Sequence, residues 1–209
     1  MKKDLVKSRL AIVERKEGYP SALTSEESVK KIPREKEASL RHKSQRNRED
    51  TVAAWLLARY MMGDLHVAYD EYGKGYLTDR PDIHFNLTHC QSGTACVVSQ
   101  RECGVDMEGI IAYKSSLARH ICTEEELKML EEANDKDKLL TRLWTIKEAY
   151  VKMLGIGIAY GLKNVNTCEM DEDVHVMEND EYCLAVVERK DENGTAELTT
   201  QYIEPTEML

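Results

Sequence analysis

The chain has 209 residues, of which 42% are hydrophobic and 32% charged, a balance that suits one medium domain or two small ones sharing a core and excludes a disordered chain. Its net charge of −9 argues against general nucleic-acid binding. No apolar stretch approaches the ~20 residues that cross a bilayer, and residues 1–9 are charged with no apolar core behind them, so neither a membrane partner nor a signal peptide is expected. Cys90, Cys96, Cys103, Cys122, Cys168 and Cys183 form no CxxC pair, and reduced thiols in a cytoplasmic protein are expected.

In chain order, residues 10–14 suit a short strand. A basic stretch follows, with Lys30, Lys31, Arg34, Lys36, Arg41, Lys43, Arg46 and Arg48 set against Glu35 and Glu37. Such a run is either a solvated surface or a landing site for an anion on an otherwise acidic protein. Residues 49–62 read as a helix, since Val52, Ala53, Leu56, Leu57 and Tyr60 recur at helical spacing before Gly63. Gly73-Lys74-Gly75 reads as a loop. Residues 83–88 and 94–99 suit strands joined by the turn Gln91-Ser92-Gly93, and 104–108 a third. Residues 115–132 and 137–154 suit two long helices, the second ending near Gly155 and Gly157. The remainder alternates as strands at 174–178, 182–188 and 198–203. Strand connections this short favour an α+β fold with largely antiparallel sheets.

Three segments carry candidate chemistry. In Gly104-Val105-Asp106-Met107-Glu108, strand alternation sets Asp106 and Glu108 on one face and Val105 and Met107 on the other. Paired carboxylates are hard oxygen ligands of the kind Mg²⁺ prefers, although an exposed edge strand carries such acids too. In Trp144-Thr145-Ile146-Lys147-Glu148-Ala149-Tyr150-Val151-Lys152, Leu139, Leu143, Ile146, Tyr150 and Met153 make one helical stripe. Glu148 and Lys152 fall together on the opposite side, with Trp144 a turn earlier. A surface ion pair four residues apart gives the same spacing without the tryptophan. In His84-Phe85-Asn86-Leu87-Thr88-His89, a strand-end imidazole beside a hydroxyl suits phosphate, or a histidine satisfied by local backbone. His84, His89, Cys90 and Cys96 cluster in sequence but match no familiar zinc spacing.

Taken together, FNLTH, GVDME and WTIKEAYVK resemble the surfactin-type branch of the phosphopantetheinyl transferase superfamily in order and separation, from about residue 73 to 157. The resemblance implies two similar α+β halves, about 1–103 and 104–209, related by a pseudo-two-fold with a coenzyme A cleft between them. It implies transfer of the 4′-phosphopantetheine arm of coenzyme A to a serine of an apo acyl or peptidyl carrier protein, releasing 3′,5′-ADP, by a monomeric cytoplasmic enzyme. Mg²⁺, or Mn²⁺, would be held by Asp106, Glu108 and Glu148. Glu148 and Lys152 would serve the chemical step, with Lys152 also near phosphate. Lys74, Thr88 and His89 would hold coenzyme A, Thr88 standing where the family has serine, and Gly75 where it often has proline. A basic residue before the first long helix falls to Arg48, with Arg46 second. The family's further acid falls to Glu126, with Glu125 as the alternative. The same carboxylates would also serve a Mg²⁺-dependent phosphohydrolase acting on a pyrophosphate, and an inactive binding homologue would keep the fold alone.

Overall fold

Residues 7–15, 23, 25–157, 160–190 and 197–209 are described by a computed structural model. The first six residues of the charged N-terminus lie outside them. The strands are β1 (Lys7–Glu14), β2 (Val67–Tyr69), β3 (Gly75–Leu77), β4 (His84–Cys90), β5 (Gly93–Ser99), β6 (Cys103–Gly109), β7 (Asp173–Glu178), β8 (Tyr182–Glu188) and β9 (Glu197–Tyr202). The helices are α1 (Glu26–Val29), α2 (Arg34–Ser39), α3 (Gln45–Met62), α4 (Ser115–Ile121), α5 (Glu124–Glu132) and α6 (Lys136–Leu154).

Alternating apolar residues in β1 and β5 bury both faces of the first sheet, ordered β4-β5-β1-β9. One face, with Ala11, Val13, Phe85, Cys96 and Val98, packs on α3 through Val52, Leu56 and Leu57. The opposite face presents Leu10, Ile12, Ala95 and Val97 to Val105, Met107, Leu184 and Val186 of a second sheet, ordered β6-β8-β7. The far side of that second sheet takes α6 through Ile146, Ala149 and Met153. The layers are therefore helix, sheet, sheet and helix, each buried face matched by a neighbour. β2 and β3 form a separate hairpin.

Three expectations change here. The pairs β4–β5, β1–β5, β6–β8 and β7–β8 are antiparallel, but β9 pairs with β1 in parallel, from Lys7↔Glu197 to Ile12↔Tyr202. β9 arrives from the second half of the chain with no hairpin to impose an antiparallel register. The segment 115–132 is two helices. Thr123 interrupts it by accepting the backbone N–H of Glu126, whose carboxylate returns to the Thr123 N–H, and this capping box starts α5 afresh. The expected helix at 49–62 begins earlier because the Ser44 hydroxyl caps it from the Asn47 N–H, which puts Arg46 and Arg48 on its first turn.

Candidate active site

The site forms where β4, the edge of the first sheet, meets β6, the edge of the second. Asn86 Oδ1 accepts the Val105 N–H at 3.1 Å, so the polar face of β4 is stitched to β6. With Val105 and Met107 committed to the core, alternation turns Gly104, Asp106 and Glu108 toward α6. Gly104 lets the helix in: a Cβ there would collide with Ala149 O and fall 2.5 Å from Met153 N. The C-terminal turns of α6 thus lie directly on β6, carrying Glu148 and Lys152 to Asp106.

Lys152 does not pair with Glu148 along the helix. Its ammonium crosses to Asp106 Oδ1 at 2.6 Å and also reaches Thr88 Oγ1 and Val105 O, each at 3.3 Å. Thr88 donates to the same Asp106 oxygen at 3.1 Å. Asp106 Oδ2 is buried with no hydrogen-bond partner among the described residues. Glu108 has its pKa pushed up to about 7, first by burial and then by the negative charges of Asp106 and Glu148, with Lys152 opposing. The Trp144 indole N–H also opposes the rise, and is buried and otherwise without a partner among the described residues. Glu148 is buried and is raised by that burial and by Asp106, against Lys152. Among the described residues no three His, Cys, Asp or Glu side chains form a preformed metal cluster. Instead the Lys152 ammonium pairs with Asp106, and its charge bears on Glu108 and Glu148.

A cleft of about 390 Å³ opens beside this pair, with Glu148 and Lys152 in its lining. Lys36, Lys43, Trp55, Tyr69, Lys74 and His89 also line it, and Phe85 forms part of the wall. Lys36 stacks over the Tyr69 ring at 4.4 Å, and burial with Lys43 nearby lowers its pKa. The Lys43 ammonium donates to Thr51 Oγ1 at 2.9 Å. Partial removal from water lowers the pKa of His89, helped by Lys152 and Lys43 and opposed by Asp50. Lys74 donates to Met153 O at the end of α6, where Gly155 closes the helix at φ 73°.

Asp106, Glu108, Glu148, Lys152, Thr88, Lys74 and His89 are thus brought to one region. Arg46 and Arg48 are exposed on α3 and do not line the cleft, whereas Lys36 and Lys43 of the same basic run do. Charge alone could not separate these, because which lysines face inward depends on how α2 turns before α3. Glu126 is placed elsewhere. It is fully buried, 2.6 Å from the equally buried Lys147, and accepts from Thr167 N, Thr167 Oγ1 and Thr123 N. Burial opposes its ionisation, but Lys147 and these donors lower its pKa. Lys147 also donates to Ile121 O and Leu162 O. Glu126 is therefore a structural tie rather than a member of the carboxylate group. Glu125, the alternative, is bonded to Asn166 on the surface. The zinc possibility also lapses. Cys96 lies in the core against α3 with Phe85, while His84 and Cys90 alternate to the other face of β4.

Comparison with known proteins follows the same residues. Positions 102–194 match the family model of the 4′-phosphopantetheinyl transferase superfamily. The 4′-phosphopantetheinyl transferase Sfp of Bacillus subtilis (strain 168) is 30% identical over 102 residues, 47% of this chain and 45% of that protein. A second Bacillus subtilis 4′-phosphopantetheinyl transferase is 28% identical over 108 residues, 51% of this chain and 48% of the relative. The 4′-phosphopantetheinyl transferase HetI of Nostoc sp. is 36% identical over 105 residues, 46% and 44% of the two chains. The chain spans about half the length of the curated relatives it matches. Among solved structures, Thermotoga maritima holo-[acyl-carrier-protein] synthase matches with a TM-score of 0.37 and 18% identity, over 43% of this chain and 64% of that one. Residues 102–194, which contain both GVDME and WTIKEAYVK, are thus the part of the chain that is similar to the 4′-phosphopantetheinyl transferase superfamily.

Proposed function

We propose that this chain transfers the 4′-phosphopantetheine arm of coenzyme A to a serine of an apo acyl or peptidyl carrier protein, releasing 3′,5′-ADP. One observation carries the reading: Glu148 and Lys152, the latter paired with Asp106, line a cleft that Lys36, Lys43 and Lys74 make cationic, and the charges of all three bear on Glu108. Such a cleft suits an anionic substrate with a pyrophosphate at the carboxylate end.

Asp106, Glu108 and Glu148 are the residues that would hold Mg²⁺ or Mn²⁺. Their fit rests on the partnerless Asp106 Oδ2, the raised Glu108 and Glu148, and a donor set made wholly of carboxylate oxygen. Ionised carboxylates ~5 Å apart at an effective dielectric of ~20 repel by roughly 3 kcal/mol per pair. The ion supplies relief of that repulsion and charge stabilisation on the transferring phosphoryl group. Glu148 accepts the serine proton, directly or through a water, as the serine oxygen bonds to the pantetheine-bearing phosphorus and the bond to 3′,5′-ADP breaks. Lys152 donates to the departing phosphate. Lys74, His89 and Thr88 contact phosphate oxygens, and Lys36 and Lys43 add positive charge to the cleft wall. The exposed Arg48 and Arg46 are left to meet an acidic carrier. α3 on the first sheet and α6 on the second are read as mates about a pseudo-two-fold. The protein is read as a cytoplasmic monomer, and among the described residues no helix is long and apolar enough to cross a membrane.

The test is the intact mass of a panel of apo acyl and peptidyl carriers after incubation with coenzyme A. A gain of one phosphopantetheine arm with Mg²⁺, abolished by chelator, is expected. Coenzyme A cleaved with every carrier unchanged would move the reading to a phosphohydrolase. No reaction at all would leave a binding homologue.

A further inference from the structure

The site holds its own cation. The Lys152 ammonium has three N–H donors, and the three acceptors around it are Asp106 Oδ1, Thr88 Oγ1 and Val105 O. Its charge also bears on Glu108 and Glu148, so it acts on all three carboxylates. The two partners differ in freedom. The Asp106 side chain is 5% exposed on a core strand, while that of Lys152 is 32% exposed and borders the cleft. If the pair opens, the lysine is the member that moves.

We propose that Lys152 competes with the divalent cation for Asp106, occupying that carboxylate in the free protein and leaving it when an anionic substrate enters the cleft. This inference rests on the proposed transferase reading for the identity of the anion and the metal. An ammonium on Asp106 Oδ1 repels a dication approaching Oδ2 of the same group. A pyrophosphate in the cleft offers the lysine new acceptors, draws it away, and so frees both oxygens of Asp106. Metal and coenzyme A then bind cooperatively, each raising the affinity for the other by the same factor. The arrangement keeps the carboxylates neutralised, and the protein largely metal-free, until substrate is present.

The experiment is a Mn²⁺ titration of the full chain by electron paramagnetic resonance, without carrier, comparing wild type with Lys152→Met. Without coenzyme A, the variant should bind Mn²⁺ about tenfold or more tightly, since a neighbouring positive charge has gone. With coenzyme A, wild-type affinity should rise by a larger factor than that of the variant. Thermal melts report folding, and Mn²⁺ should raise the melting temperature of the variant more than that of wild type. If Lys152→Met does not fold, Lys152→Gln, which keeps a donor without the charge, is read in the same way. Equal or weaker Mn²⁺ binding by the variant without coenzyme A overturns the proposal, because Lys152 and the metal would then share Asp106 without competing. Carrier labelling is absent from this readout. Failure of the mass assay with tighter Mn²⁺ binding would sink the transferase reading alone, and the reverse result would sink only the competition.

Discussion

Glu148 is buried, yet its carboxylate forms no hydrogen bond or ion pair among the described residues, and burial with the charge of Asp106 raises its pKa. A carboxylate in that condition takes up a proton more readily than one in water. Glu148→Gln should therefore keep appreciable coenzyme A binding at saturating Mg²⁺ and lose ~10²-fold or more in single-turnover labelling, the usual scale for a lost base. Near wild-type turnover would remove Glu148 from the proton transfer, and full rescue by extra metal would leave it a ligand only. Glu108 makes a separate prediction. Its folded pKa of about 7 exceeds the ordinary 4.5, so the folded state holds the proton more tightly. The stability this contributes is fully present below about 4.5 and is lost as pH rises through about 7. In chelator, wild type should lose stability relative to Glu108→Gln across that window, and parallel urea midpoints would refute it. The sequence already held the pairing of Asp106 with Glu108, because strand alternation sets it. It did not hold the partner of Lys152, since helical spacing points to Glu148 and only the docking of α6 on β6 reveals Asp106.

That docking depends on the fit between two elements. Gly104 belongs to the same GVDME segment as the acids, and its bare backbone is what lets α6 approach. Gly104→Ala should destabilise the protein by at least the ~1–3 kcal/mol of ordinary overpacking, because backbone atoms rather than a flexible side chain stand in the way. It should also weaken Mn²⁺ binding by pushing Glu148 away from β6, and an unchanged urea midpoint would count against the contact. The buried Glu126–Lys147 pair ties α5 to α6 one residue before Glu148. Lys147→Met should cost ~3–5 kcal/mol, since it strands a buried carboxylate, and a loss under ~1 kcal/mol would show that water reaches Glu126. Helix and strand positions were largely legible from periodicity. The break at Thr123 does leave a trace in the sequence, the capping-box signature of Thr123 followed three residues later by Glu126, but the helical pattern on either side hides it. The same glutamate drew a catalytic expectation because sequence carries no measure of burial.

At the scale of the whole molecule, the stretches on either side of about residue 103 share one core. β9 completes the sheet begun by β1, Ile203 and Met208 join the core under α3, and the inner faces of both sheets form one apolar cluster. Residues 1–103 and 104–209 made separately should each lack the sharp thermal transition of the full chain, because each would expose a face of that cluster. Cooperative melting of either fragment alone would refute this. Parallel pairing over such a distance leaves little local trace in the sequence: β9 reads as a strand, but nothing within it names its neighbour. The Lys7↔Glu197 register also bears on how the protein is made. β1 leaves the ribosome long before β9 exists, and until β9 arrives one edge of β1 presents unpaired backbone groups. A nascent chain in that state can add a strand from another copy. Closing so distant a contact late in synthesis makes refolding slow and yield sensitive to concentration and chaperone supply, costs set by topology and unrelated to the chemistry in the cleft.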